Sequence, residues 1–380
     1  MGYSNKLLIL NLIRRNPGIS RKDLARITNL DKSTITKITN NLMEKNLITE
    51  EGTKTKKTPG RKSIRLIPVK NSAQSIIVKI GVEETYIGIG YLDNDYKTMK
   101  SFQTPKDFDK FIDLINENLE DMDYKNDKYV GISFSVPGMV DRKTNSIESA
   151  PHLNWTNVNI EEALKKKNKN FDKPILLANE AKLSLLSEIY SNKELKKIHN
   201  GLYIFISQGI GGAILIDGKI LLGPSSTAGE FGHMSLEPNG DQCFCKNNGC
   251  WENYVSIDNI VKKHPDLKKG SSEEKFVELL KLKDKDKKAD EIIKDMVYYL
   301  SFGISNLVNI LNPEFIILGG NGYNFSDDLL KDIKNQIGKR SLNHAFKNLQ
   351  IFKPYHEIIE ACMIGANLLI MDEFSKLIIT

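Results

Sequence analysis

Apolar positions near the start of the chain recur at helical spacing. Residues 6–16 (KLLILNLIRRN) carry such a stripe and run into Asn16-Pro17-Gly18, which predicts a helix and its stop. Ser20, with Asp23 three residues on, opens a second helix with Leu24 and Ile27 as its apolar face. A short turn over Thr28–Leu30 follows, and Asp31 is a good N-cap for a third helix, Lys32 to Lys45. Ile35, Ile38 and Leu42 form its inward face, while Lys32, Ser33, Thr34, Thr36, Lys37 and Asn40 point outward. That outward face is short, polar and cationic, as suits base edges and phosphates in a major groove, and two short helices before it make a helix-turn-helix. Ser63 to Pro68 then alternates like a strand, so Thr53 to Lys62 (TKTKKTPGRK) reads as a wing tip. Gly60-Arg61 could place an arginine in a narrow minor groove, or the tip is a solvated, mobile loop, and the two readings are compatible.

Beyond Ser75 strand and helix patterns alternate. Strands are expected at 76–80, 86–92, 129–136 (ending in Pro137-Gly138), 175–178, 202–207, 213–216 and 315–318. Helices are expected at 108–119, 181–190, 292–311 and 361–371, with 262–288 as a lysine-rich solvated surface. The class is α/β, and two similar lobes fit the pattern. Charge changes the picture for the head: residues 1–70 hold 16 lysines and arginines against 5 acids, whereas the whole chain has a net charge of +6. A basic head on a mildly acidic body points to a polyanionic partner. No apolar run is long enough to span a bilayer and no signal-peptide pattern opens the chain, so a cytoplasmic protein without membrane partners is expected.

The strongest chemical signal is His233 followed by Cys243, Cys245 and Cys250. One imidazole and three thiolates are a closed set of four ligands, the usual complement of a structural Zn(2+). The other reading is a loop with incidental cysteines or a redox pair. Glu230 and Glu252 flank the set, and carboxylates fixed beside a metal can accept hydrogen bonds from sugar hydroxyls.

Head and body together resemble the family of repressors, open reading frames and kinases (ROK), and most of all its xylose-repressor branch. The resemblance rests on the helix-turn-helix with Gly60-Arg61, Ser135-Val136-Pro137-Gly138-Met139-Val140-Asp141, His152-Leu153-Asn154-Trp155, Glu230-x-Gly232-His233, the cysteine loop, Leu318-Gly319-Gly320-Asn321 and Gly365-Ala366. Lys246 stands where the family usually has glycine. The resemblance implies a winged helix-turn-helix over 1–70, a linker at 71–75, and an actin-like (ribonuclease H-like), sugar-kinase-type domain with a sugar cleft. Its first lobe would be 76–190, rejoined by 357–380, and its second, with the zinc loop, 191–356. Sugar contacts carried over from the family fall on Asn154, Asn179, Glu180, Glu230, His233 and Glu252.

Family kinases carry Asp-x-Gly-Gly-Thr after the first strand, where this chain has Lys79-Ile80-Gly81-Val82-Glu83. Val82 would block close backbone approach to phosphate, and Glu83 adds negative charge there. Glu180 replaces the family's catalytic Asp, and its extra methylene displaces the carboxylate by about 1 Å, enough to cost roughly a hundredfold in rate. The expected function is therefore a sugar-responsive repressor of carbohydrate-utilisation genes with no catalytic residue. It would act as a homodimer, or a dimer of dimers, on a palindromic operator. The alternatives are an ATP-dependent, glucokinase-like sugar kinase and a regulator controlled by a protein partner.

Overall fold

The computed structural model describes residues 2–52, 64–169, 171–195 and 198–374, and they divide into two compact units. The first holds residues 1–183 and 362–380, the second 184–361.

The first unit begins with helices α1 (Gly2–Arg15), α2 (Arg21–Thr28) and α3 (Lys32–Glu44), followed by strands β1 (Ile48–Glu51) and β2 (Arg65–Pro68). Caps set the helix boundaries. The Ser20 hydroxyl accepts the Asp23 N–H at 3.2 Å to start α2, left-handed Asn29 ends it, and Asp31 accepts the Thr34 N–H at 2.7 Å to start α3. β1 and β2 pair antiparallel from Ile48↔Pro68 to Glu51↔Arg65, giving the two strands of a wing. Its tip, with Lys54, Lys56, Lys57, Gly60, Arg61 and Lys62, lies outside the described residues. Ile9, Leu10, Ile13, Leu24, Ile35, Ile38 and Leu42 pack together as the periodicity requires. Ile27 departs from expectation at 54% exposed, because the short α2 turns only its Leu24 side inward.

The segment expected to be a linker is ordered structure. A single 3-10 turn at Lys70–Ser72 leads to fully buried Ala73, and β3 (Gln74–Lys79) starts at once. The head's apolar cluster therefore continues into the body, taking in Leu92, Val130, Ile370 and Met371. Then come β4 (Glu84–Tyr91), β5 (Tyr96–Gln103), α4 (Phe108–Asp121), β6 (Tyr129–Val136), β7 (Met139–Asp141), β8 (Ser146–Ala150), β9 (Trp155–Val158), α5 (Ile160–Lys167), β10 (Ile175–Asn179) and α6 (Glu180–Ser191). Strand order in the main sheet is β10-β6-β3-β4-β5, with β10, β6 and β3 parallel and the rest antiparallel. Trp155 is buried against Phe111, ring centroids 4.7 Å apart, and its indole N–H donates to the Lys106 carbonyl at 2.9 Å.

The second unit contains β11 (Gly201–Ile206), β12 (Ile210–Ile216), β13 (Lys219–Ile220), α7 (Glu252–Val255), α8 (Ile257–Lys262), α9 (Ser272–Leu282), α10 (Lys287–Leu311), β14 (Phe315–Gly320), α11 (Asp327–Arg340), α12 (Asn343–Lys347) and β15 (Gln350–Phe352). Its sheet runs β13-β12-β11-β14-β15, again a hairpin edge joined to parallel strands, so the two units repeat one plan. The lysine-rich stretch is helical in part. Ser271 and Glu274 form a capping box for α9, which buries Phe276 and Leu279. α13 (Ile358–Phe374) closes the chain, and the division between units falls within α6 and α13.

Candidate functional site

In the head, α3 buries Ile35, Ile38, Thr39 and Leu42 and turns Lys32, Ser33, Thr36, Lys37 and Asn40 to solvent. The hydroxyls on this face are already committed. Ser33 and Thr34 donate to the Asp31 carboxylate, and Thr36 donates to the Lys32 carbonyl at 2.8 Å. Those hydroxyl bonds, Ser33 first, hold Asp31 well below the usual carboxylate range. Lys32, Lys37 and Asn40 are left as the groups of α3 with donors to spare for phosphates and base edges. Beside them Arg21 is tethered, its Nε donating to Thr39 Oγ1 at 3.0 Å and its guanidinium pairing with Glu50 at 2.7 Å. This links the N-terminus of α2, the reading helix and the wing.

Within the first unit, β10 ends at Asn179 and α6 starts at Glu180. Asn179 closes this junction: its Nδ2 donates to the Gly138 carbonyl at 3.0 Å and its Oδ1 accepts the Ala181 N–H at 2.9 Å. One amide hydrogen and one acceptor lone pair remain for a ligand. The Glu180 carboxylate is not open to solvent but faces Lys79, 3.4 Å away, with side-chain exposures of 13% and 10%. Lys79 ends β3 directly beside Ser135 of β6, and its ammonium also reaches the Ile80 carbonyl at 3.3 Å. From the sequence alone Lys79 reads only as a lost aspartate. The missed signal was a lysine closing an otherwise apolar strand (Ile76-Ile77-Val78-Lys79-Ile80), since a lysine buried there needs a partner. Asn154 is exposed and left-handed (φ 60°), after the turn Pro151–Leu153. Glu83, which would crowd a triphosphate, is exposed on the β3–β4 turn.

Within the second unit, His233, Glu252 and the three cysteines come together, and Glu230 joins them through its backbone, its carbonyl accepting the His233 N–H at 3.2 Å. Two glycines make this possible. A Cβ on Gly212 would lie 1.9 Å from the Phe231 ring, and one on Gly229, whose φ is +100°, would lie 2.4 Å from the Gly212 carbonyl oxygen. The 229–233 turn therefore lies tight on β12, which fixes His233. Gly212 is thus explained by packing, without a phosphate. The ligand atoms of His233, Cys243, Cys245 and Cys250 all lie within 4.8 Å of one another. Cys245 and Cys250 sulfurs are 3.6 Å apart, and Cys243 Sγ is 3.7 Å from His233 Nδ1. Tetrahedral coordination with bonds of about 2.3 Å requires edges of about 3.7 Å, so the donor set fits a metal ion. Lys246, left-handed at φ 74°, takes the family's usual glycine position without opening the loop.

Burial pushes the Cys243 thiol up, and Glu252, accepting from it at 3.0 Å, adds to the effect. Burial does the same for Cys250. Glu252 is buried, and its Oε1 also lies 3.3 Å from His233 Nδ1. With Nδ1 turned to the cluster, His233 Nε2 is the nitrogen that can donate to a ligand. Glu252 Oε2 lies against the 208–212 turn, 3.1 Å from where a Cβ on Gly209 would be.

A three-helix head with a two-stranded wing, on two repeats of one hairpin-plus-parallel sheet plan, defines a DNA-binding winged helix joined to a sugar-kinase-type fold. The chain belongs to the ROK family, whose model matches residues 75–373, and a winged helix-turn-helix DNA-binding model matches residues 4–49. It is 30% identical over 344 residues to a xylose repressor of Bacillus spizizenii, covering 88% of this chain and 87% of that one. To a xylose repressor of Caldicellulosiruptor bescii it is 27% identical over 365 residues, covering 91% and 90%. A solved ROK family transcriptional regulator, described as a homologue of the E. coli MLC protein, superposes with a TM-score of 0.78 at 24% identity, covering 99% of this chain and 98% of that one.

Proposed function

We propose that the chain is a sugar-responsive, DNA-binding transcriptional repressor of carbohydrate-utilisation genes. The observation that carries this reading is the presence, in one chain, of a winged helix with Lys32, Lys37 and Asn40 exposed and a sugar-kinase-type body in which Glu252 lies against His233 of a metal-type cluster. The xylose repressors it resembles are matched over 91% and 88% of the chain. The test is a mobility-shift titration on the chain's own upstream region with D-xylose, D-glucose and other sugars. Operator release by one sugar supports the proposal, and a duplex held equally with every sugar ends it.

The effector is bound, in this reading, through Asn154, Asn179, Glu180, Glu230, His233 and Glu252. Carboxylates accept from hydroxyls, and the Asn179 amide and His233 Nε2 donate. A zinc ion held by His233, Cys243, Cys245 and Cys250 would be structural, since four protein ligands leave no open position. When bound, it supplies rigidity to the wall that carries Glu230 and Glu252. The DNA contacts are, in this reading, Lys32, Lys37 and Asn40 as donors in the major groove, with the Ser33, Thr34 and Thr36 oxygens left to accept there, and Gly60 and Arg61 in the minor groove. Two such heads in a homodimer would read a palindrome.

A kinase reading finds its obstacle in Lys79. The carboxylate at the position of the family's general base is held by a buried ammonium 3.4 Å away, where it is poorly placed to take a proton from a sugar hydroxyl. No described helix is long and apolar enough to cross a membrane, and a regulator of genes works where the DNA is, in the cytoplasm.

A further inference from the structure

If the effector changes operator affinity, something must connect the two sites. Arg14, at the end of α1, is one of the head's cations and yet is fully buried. Its guanidinium donates to three elements. Nε reaches the Leu92 carbonyl at 3.1 Å, Nη2 reaches Asn94 Oδ1 at 2.6 Å, and Nη1 reaches Asp372 Oδ1 at 2.9 Å and Asn11 Oδ1 at 3.0 Å. Asn94 returns a bond from its Nδ2 to the Arg14 carbonyl at 2.9 Å, and Arg15 pairs with the other Asp372 oxygen. A planar fork with all three of its nitrogens engaged fixes orientation as well as distance. The head is thus gripped at one point by the β4–β5 turn and by the last turn of α13.

The same helix touches the element that begins at Glu180. α6 and α13 cross so closely that a Cβ on Gly365 would lie 2.1 Å from the Leu183 carbonyl oxygen. Glu180 and Leu183 are one turn apart on α6. Gly365 and Asp372 are two turns apart on α13, a span of about 10 Å at 1.5 Å per residue. Asn367, between them, is locked to the sheet by the Ser75 hydroxyl at 2.8 Å and the Tyr91 carbonyl at 2.9 Å. Beyond Arg14, α1 places Ile9, Leu10 and Ile13 in one cluster with Ile35 and Ile38 of the reading helix.

We infer that this chain of contacts, Glu180–Leu183 to Gly365–Asp372 to Arg14, positions the reading head according to effector occupancy, with the Arg14–Asn94–Asp372 clamp as its final joint. The inference rests on the repressor reading proposed above. Tight helix crossings and arginine forks bonded through every nitrogen shift as units rather than deform, so a tilt of α6 is carried to α1. Arg14, Asn94 and Asp372 are positioning residues that touch neither sugar nor DNA.

The test uses the full chain with Asp372→Asn and, separately, Asn94→Ala. Operator affinity is measured by fluorescence anisotropy on the upstream duplex with and without D-xylose, and D-xylose affinity by calorimetry without DNA. Both variants are expected to bind D-xylose within about twofold of wild type, while the ratio of operator affinities without and with sugar drops at least about fivefold towards unity. Thermal melting shows that each variant is folded. Asn94→Ala keeps the test valid if Asp372→Asn is not. Variants that keep the wild-type ratio overturn the clamp and leave the repressor reading standing. A wild-type chain whose operator affinity no sugar alters overturns both.

Discussion

Replacing Lys79 by Met keeps the length of the stem and removes the ammonium. Glu180 would then be a carboxylate only 13% exposed, with its 3.4 Å partner gone. At an effective dielectric constant of about 20, a pair at this distance is worth roughly 5 kcal/mol of Coulomb energy. Part of that is offset because the ammonium no longer has to be desolvated, so the variant is expected to lose about 3 kcal/mol. Removing the second charge as well, in Lys79→Met/Glu180→Leu, takes away the uncompensated group and should recover most of the loss. Urea unfolding followed by Trp155 fluorescence, in a Trp251→Phe background, reports the first unit, because Trp155 is buried in its core. With a slope of about 3 kcal/mol per molar, the single variant's midpoint should fall by about 1 M and the double variant's should return most of the way. An unchanged midpoint for Lys79→Met, or a double variant less stable than the single, would refute the buried-pair argument. It would also leave the carboxylate at the kinase base position unexplained.

Three more expectations can be measured directly. Burial pushes Glu188 up to about 7 from 4.5, against the Tyr355 and His356 N–H groups that hold it as an acceptor. Its contribution is therefore fully present below pH 4.5 and lost as pH rises through 7, by up to about 3 kcal/mol. Glu188→Gln should flatten that fall in denaturation curves taken from pH 5 to 8, and parallel curves for the two proteins would contradict the shift. Cys245→Ser should lower zinc content measured by atomic emission and weaken binding of the effector sugar together. A zinc-free variant with wild-type sugar affinity would remove the metal from the sugar wall. Lys37→Ala should weaken operator binding across all sequences and reduce the salt slope by about one, whereas Asn40→Ala should instead relax base preference. Identical salt slopes for Lys37→Ala and wild type would take Lys37 off the phosphates.

Local rules made the head and the cysteine loop legible. Caps such as Asp31 act within three residues, helical periodicity acts within a turn or two, and the cysteines lie within one loop. What stayed hidden depends on residues far apart in the chain. Lys79 and Glu180 meet only because β3, β6 and β10 lie side by side, and Arg14 reads as a surface cation until α13 returns Asp372 to it. The small β7-β8-β9 sheet and the exposed edge strand β5 were missed as well, since neither has the apolar run that marks the buried strands β6 and β11. Ile27 misled because apolar spacing names a face without saying whether anything covers it.

The apolar cluster that joins the head to Leu92, Val130, Ile370 and Met371 bears on how such regulators can be cut or recombined. The DNA reader draws part of its filling from the far end of the polypeptide, so it is no detachable cassette. Grafted onto another body it needs a socket of the same shape, and proteolytic trimming of the carboxy terminus ahead of Ile370 would loosen the amino-terminal reader more than three hundred residues away in the chain.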